Sequence, residues 1–173
     1  MALERPDFFR KLAKQVREVY DGPIIYAANW DSYDKIKFWN SFDYIGVDAY
    51  FPLSNERLPS KEALIKSWER ISSELEKISS SHQRGIILTE WGYEDEEYVG
   101  KEPWIMTKRD ALNNEVLQTW AYESMFETIW DESWMKGVFV WRWEPHRRHK
   151  ARPNYSPDGK KAQRVLEEWF GKE

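Results

Sequence analysis

The sequence predicts an α/β protein in which helices cover a parallel sheet. Short, nearly continuous apolar runs, typical of strands that are buried on both faces, alternate with segments of helical periodicity. No Gly-rich phosphate loop follows any of these strands, which argues against a nucleotide-binding Rossmann domain. Doubly wound and barrel arrangements both fit the alternation, so the pattern leaves the two open.

Four apolar runs are predicted strands: 24–29, 44–50, 85–90 and 137–143. Apolar side chains recur at helical spacing in the other segments, which are predicted helices: 6–20, a short piece around 32–41, Ser60 to about Ile78, about 110–130, and a last helix after Gly159. The Asp-Gly-Pro turn at 21–23 ends the first helix, and Ser60 is suited to cap the long one. The polar stretch 94–109 is a predicted loop, with the acidic run 94–97 exposed.

The composition is that of a soluble globular protein, with 41% hydrophobic and 32% charged residues over 173 positions. A single domain over 1–173 is expected, because the chain has no internal repeat and no clear linker. The absence of Cys excludes disulfides, and the N-terminus lacks a signal-peptide pattern, so we expect a cytoplasmic protein. The net charge of −4 argues against a general nucleic-acid binder, and no apolar run reaches the length of a membrane span.

Polar and aromatic side chains follow all four predicted strands where each strand stops: Asn29-Trp30-Asp31, Asp48-Ala49-Tyr50, Glu90-Trp91-Gly92-Tyr93 and Trp141-Arg142-Trp143-Glu144. The carboxyl ends of parallel strands share one edge, where α/β folds bind ligands. Glu90 is the most informative of these residues, because a carboxylate at the end of a buried strand is costly without a partner. Carboxylates together with Trp suit glycoside hydrolysis, so the edge is a candidate sugar site. Most of the 11 Trp are nevertheless expected in the core.

Several segments resemble the later strands of glycoside hydrolase family 113, the (β/α)8-barrel β-mannanases related to the retaining clan A: 26–31, 43–52, 89–93, 138–143 and 155–160. The resemblance covers nearly the whole chain. It implies half of a TIM barrel, with the four strands as barrel strands 5 to 8 and the first four βα units absent from this chain.

The resemblance also implies roles for residues at the strand ends. Glu90 matches the nucleophile, and Tyr50 matches the tyrosine that hydrogen-bonds it. Trp141 or Trp143 matches the indole under the sugar at the cleaved bond. The remaining substrate-binding candidates from the strand exits are Asn29, Trp30, Asp48 and Tyr93, and a structural role for Asp48 is equally open. In this clan the acid/base Glu follows the fourth strand, so we expect it to be missing from this chain.

A half barrel leaves strand edges open, which predicts association with a complementary N-terminal half or with a second copy as a homodimer. The isolated chain is expected to be weak or inactive on mannan. The alternative is a non-catalytic half barrel or carbohydrate-binding module that self-associates. No cofactor or metal is expected, because the spacing of His82, His146 and His149 fits no zinc pattern. Trp104, in the long loop after Glu90, is a candidate sugar platform, and the basic loop 147–152 is expected to be solvated or to form a subsite rim.

Overall fold

The computed structural model describes residues 2–106, 112–144 and 153–172. Four strands in these ranges form one parallel sheet in the order β1-β2-β3-β4: β1 is Ile25–Asn29, β2 is Tyr44–Asp48, β3 is Ile86–Trp91 and β4 is Met135–Val140. Each strand bonds to the next one along the chain, so all four carboxyl ends lie at the same edge. The predicted α/β class with four parallel strands is confirmed.

Four α-helices in the described ranges accompany the sheet: α1 is Pro6–Arg17, α2 is Lys61–His82, α3 is Glu115–Ile129 and α4 is Lys161–Phe170. The long helix α2 begins where the sequence predicts, because the Ser60 hydroxyl accepts a hydrogen bond from the Ala63 amide at 3.2 Å. It ends at Gln83, whose φ of 53° is left-handed. No helix in the described ranges is long and apolar enough to cross a membrane.

Several element boundaries differ from the predictions by a few residues, including those of α3 and β4. Helix α3 starts at Glu115 rather than near 110, because the Asn114 side chain caps it by accepting from the Leu117 amide. Residues 110 and 111 themselves lie outside the described ranges. Strand β4 ends at Val140, so Trp141 and Trp143, which were predicted within it, follow the strand instead.

The connection between β1 and β2 holds two 3-10 turns, Tyr33–Lys35 and Trp39–Ser41, in place of the predicted helical piece. Aromatic packing fixes this shape, because Phe9 of α1 stacks on Phe38 with ring centroids 4.9 Å apart. The ring of Tyr26 in β1 meets Phe38 edge to face at 5.0 Å. Burial of these large rings outweighs the weak helical preference of the segment.

The two faces of the sheet are covered to different extents. The face toward the helices holds buried apolar side chains: Ala28, Ile45, Val47, Ile86 and Leu88. Side chains alternate along a strand, so their neighbours project from the other face. There Ile25 is 38% exposed and Phe139 is 64% exposed. In a closed barrel this second face is the packed interior, so it is the part of the fold left uncovered here.

Candidate active site

The predicted pocket residues meet at the carboxyl edge of the sheet. Asn29 ends β1, Asp48 ends β2, and Glu90 is the last residue but one of β3. The strand register pairs Asn29 with Asp48, and Asp48 with Glu90. Neighbouring strands lie about 4.8 Å apart, so these three polar residues are close enough to act on one ligand.

A bulge in β3 sets the direction of Glu90. The register pairs Val47 with Leu88 and then Asp48 with Glu90, which leaves Thr89 as an extra residue in β3. The Thr89 hydroxyl donates to Asp48 Oδ1 at 2.8 Å, while Glu90 meets Tyr50. In a regular strand, two consecutive side chains point to opposite faces. The bulge instead brings both Thr89 and Glu90 to polar partners on the β2 side.

Tyr50 holds the carboxylate of Glu90. Its phenol donates a hydrogen bond to Glu90 Oε2 at 2.8 Å, the partnership that the sequence resemblance implies. Burial, followed by this bond, raises the pKa of Tyr50 well above its usual value. The hydroxyl therefore stays protonated and acts as a donor. A carboxylate oriented in this way is suited to nucleophilic attack.

Asp48 lies in a less favourable environment for a charge. Burial raises its pKa, and the charge of Glu90 adds to that effect, while the hydrogen bond from Thr89 opposes it. Asp48 therefore has a structural partner in Thr89 and also stands beside the candidate nucleophile. Both of the roles considered from the sequence, structural and substrate-binding, are compatible with this position.

Replacing Asp48 by Asn is expected to stabilise the protein at pH 7. Because the folded pKa of Asp48 lies above its unfolded value, ionisation costs stability as pH rises through the folded pKa. Asn removes that cost and keeps an oxygen that can accept from Thr89. We expect Tm to rise at pH 7, and the gain to fade as pH falls toward 4, where the carboxyl becomes protonated in both the folded and the unfolded chain.

Thermal unfolding of D48N between pH 4 and pH 7 measures this effect. The control is Asp131→Asn, at an exposed aspartate just past α3, which is expected to leave Tm unchanged at both ends of the range. A lower Tm for D48N than for the parent at pH 7 contradicts the prediction.

Tyr155 belongs to the site, although sequence reasoning assigned it no role. Its ring packs edge to face against Tyr50, with centroids 6.3 Å apart and an interplanar angle of 74°. Its hydroxyl donates to the carbonyl oxygen of Pro103 in the long loop after β3. Tyr155 therefore connects that loop to the partner of Glu90. The signal that could have indicated it was its place in the family-like segment 155–160.

A buried ion pair fastens the segment that carries Tyr155. Lys160 Nζ lies 3.1 Å from Asp95 Oδ1, and the same oxygen accepts from the Asn154 amide at 2.6 Å. Asp95 is 1% exposed, Glu94 is also buried, and Glu96 and Glu97 are half-buried, so the prediction of an exposed acidic run at 94–97 is wrong. Their burial ties the start of the loop after β3 to the segment before α4.

The predicted aromatic contacts have different degrees of exposure. Trp141 and Trp143, after β4, are both exposed, and Trp30 after β1 is half-buried. Tyr93 is 0% exposed, and its hydroxyl donates to the Phe51 carbonyl at 3.1 Å. The predicted substrate contact by Tyr93 is therefore corrected, because this side chain packs in the core and presents no surface to a ligand.

The described residues contain no group of three His, Asp or Glu side chains that could hold a metal ion. His82 lies at the end of α2, with Nδ1 3.2 Å from Asn40 Oδ1, far along the helix from the carboxyl edge. His146, His149 and the basic loop 147–152 lie outside the described residues.

Comparison with known proteins identifies the family of the chain and proteins of similar fold. The model of Glycoside Hydrolase Family 113 matches residues 1–160. A GH113 β-1,4-mannanase of known structure is 23% identical, with a TM-score of 0.82 over 100% of this chain and 53% of the mannanase. The GH113 β-mannanase from Alicyclobacillus acidocaldarius, solved in complex with ManMIm, is 25% identical, with a TM-score of 0.77 over 94% of this chain and 50% of that one.

A more distant likeness, of fold alone, links the chain to a β-glucuronidase from Faecalibacterium prausnitzii. That enzyme is 16% identical, with a TM-score of 0.64 over 95% of this chain and 28% of its own. No curated protein matches the sequence.

The chain spans about half the length of the mannanases that it matches. Its four parallel strands and their helices superpose on one half of these TIM barrels, which confirms the expected half (β/α)8 barrel. Because the family model covers residues 1–160 of 173, the chain belongs to Glycoside Hydrolase Family 113.

Proposed function

We propose that this half barrel carries the nucleophile of a retaining β-mannanase-like glycoside hydrolase, and that the nucleophile is Glu90. The observation that carries the proposal is the 2.8 Å hydrogen bond from Tyr50 to Glu90 at the carboxyl edge of the sheet. TIM-barrel active sites lie at this edge. The β-mannanase names of the matched structures support β-mannan as the substrate class.

In the proposed reaction, a Glu90 oxygen attacks the anomeric carbon and forms a glycosyl ester while the bond to the leaving oxygen breaks. A carboxylic acid protonates that leaving oxygen. Water, deprotonated by the same group, then attacks the anomeric carbon and releases Glu90. The sugar-contacting residues proposed from this chain are Asn29, Trp30, Asp48, Trp141 and Trp143.

We propose that the acid/base group comes from outside these 173 residues. Retaining hydrolysis needs two carboxyl groups about 5–5.5 Å apart that flank the scissile bond. Asp48 pairs with Glu90 on the adjacent strand, so it stands on the same wall of the cleft. An acid must reach the leaving oxygen from across the sugar, a position that the missing half of a barrel supplies.

An activated mannoside tests the nucleophile without the acid. Fluoride leaves without protonation, so 2-deoxy-2-fluoro-β-mannosyl fluoride needs only the nucleophile for the first step, and the 2-fluorine slows release of the ester. Incubation with the 173-residue chain, digestion and mass spectrometry should show the added fluorosugar on the peptide that contains Glu90. A label on a different residue, or none on any peptide, contradicts the proposal.

The open face of the sheet supports a second part of the proposal, which concerns assembly. Strands β1 and β4 each bond to one other strand within the described residues, so each leaves an edge unpaired. Ile25 and Phe139 expose apolar surface on the same face. We propose that a complementary N-terminal half barrel or a second copy of this chain covers it, since four further strands would close an eight-stranded barrel.

Replacing Phe139 by Lys is expected to weaken this assembly, because a charge on the open face would have to be buried on closure. If a second copy covers the face, multi-angle light scattering of the purified chain should give a mass above one copy, and the F139K variant should shift toward the monomer. Tyr20→Lys, which changes an exposed aromatic residue between α1 and β1, is the matched control and should leave the mass unchanged. A chain that is a monodisperse monomer and also fails to bind an N-terminal half barrel would contradict the assembly proposal.

A further inference from the structure

The loop between β3 and α3 reaches the exits of three strands. Backbone amides of Leu53 and Ser54, beyond β2, donate to the Gly100 carbonyl at 2.7 and 3.2 Å. The Pro103 carbonyl accepts from Tyr155, beyond β4. Trp104 stacks on Trp30, which follows β1. The loop is therefore fixed at several points and holds Trp104 over the carboxyl edge of the sheet.

Trp104 and Trp30 form a stacked pair of indoles. Their ring centroids are 4.9 Å apart and their planes differ by 25°. Trp30 also meets Phe51 edge to face at 6.4 Å, so its ring is held by two neighbours and is half-buried. Trp104 remains 43% exposed. Of the two indoles, Trp104 is thus the one with the larger surface left for a ligand.

This arrangement suits a sugar ring for physical reasons. A flat indole that is covered on one face offers the other face to the apolar C–H surface of a pyranose. Because Trp30 and the Pro103 anchor already fix the ring, little side-chain freedom is left to lose on binding. Tyr155 contacts both Pro103 and Tyr50, so the exposed indole has a fixed position relative to the Tyr50–Glu90 pair.

We propose that Trp104, backed by Trp30, is a stacking platform for a pyranose unit of the bound oligosaccharide, at a subsite away from the scissile bond. This inference rests on the proposed function and deepens it, because it assigns a residue of the β3–α3 loop to substrate binding. It also refines the role of Trp30, which supports the platform by stacking on one face of the Trp104 ring.

The expected consequence is a dependence of affinity on chain length. Short oligosaccharides that fill only the subsites beside Glu90 do not reach the platform, while longer ones gain one stacking contact. Removing that contact should weaken binding of the longer ligands by about tenfold, the range expected for one aromatic stacking interaction.

Isothermal titration calorimetry of the 173-residue chain with mannobiose through mannohexaose tests the platform. Wild type should bind hexaose more tightly than biose, Trp104→Ala should lose about tenfold on hexaose, and Trp104→Phe should recover most of that loss. Tyr20→Ala, remote from the carboxyl edge, is the control and should match wild type. Equal affinity of wild type and W104A for mannohexaose overturns the inference. It is also overturned if the wild-type chain binds none of the oligosaccharides.

The platform and the nucleophile are tested by separate readouts. Fluorosugar labelling reports on Glu90, whereas the titrations need no turnover. Binding that depends on Trp104 in a chain whose Glu90 is not labelled would support the platform and contradict the proposed nucleophile. If Glu90 is labelled but W104A binds mannohexaose as tightly as wild type does, the nucleophile is supported and the platform is contradicted.

Discussion

Replacing Glu90 by Gln is expected to lower the rate of fluoride release from an activated mannoside by at least about 10³-fold. The amide lacks the negative charge and the free electron pair with which the carboxylate attacks the anomeric carbon. Loss of a nucleophile is among the most damaging single changes to an enzyme, and in other systems it costs up to about 10⁶-fold. Because the Gln amide oxygen can still accept from Tyr50, the fold should be retained. A fluoride electrode measures the rate.

The matched control for E90Q is another carboxylate-to-amide change, in the loop between β3 and α3. Glu97 pairs with Arg57 at 2.7 Å near the surface, so Glu97→Gln removes a charge without touching the strand ends. Its release rate should equal that of the parent. If E90Q releases fluoride at the parental rate while remaining folded by circular dichroism, Glu90 is not the nucleophile.

Replacing Lys160 by Met is expected to reduce the free energy of unfolding by about 3–5 kcal/mol. The change leaves Asp95 buried without its cation, and an uncompensated buried charge is strongly destabilising. Burial lowers the pKa of Lys160, and Asp95 opposes that shift, as expected for a cation retained inside the protein by its partner. Urea denaturation at pH 7 measures the loss.

Two comparisons isolate the ion pair from general effects of the substitution. Lys161→Met changes the adjacent, exposed lysine and should stay within about 0.5 kcal/mol of the parent. Combining K160M with Asp95→Asn should recover part of the loss, because the double variant buries no unpaired charge. A loss below about 1 kcal/mol for K160M would show that the pair contributes little to stability.

The local pattern of the sequence was sufficient to predict the strands and the long helix. Ser60 caps α2 as expected, and the side chains of Asn29, Asp48 and Glu90 gather at one edge as the strand exits indicate. The bond between Tyr50 and Glu90 followed from the family resemblance. These features depend on residues within one element or on strands that follow each other.

Contacts between distant segments could not be predicted in this way. Asp95 and Lys160 are far apart in sequence, and an acidic run gives no sign that any of its members is buried. Tyr93 was misassigned because its place after a strand suggested the pocket, whereas its side chain turns into the core. Trp104 could be noted as an aromatic residue in a long loop, but its partner Trp30 became evident only from the folded chain.

The sequential pairing of the four strands has a consequence for folding kinetics. Each strand bonds to the strand that precedes or follows it in sequence, so the pairing does not require the two ends of the chain to meet. Pairing consecutive strands closes a shorter loop than pairing strands from opposite ends of the chain, and a shorter loop costs less entropy to close. We therefore expect the half barrel to reach its own strand order first. Docking of a second half would then be a separate step whose rate depends on protein concentration.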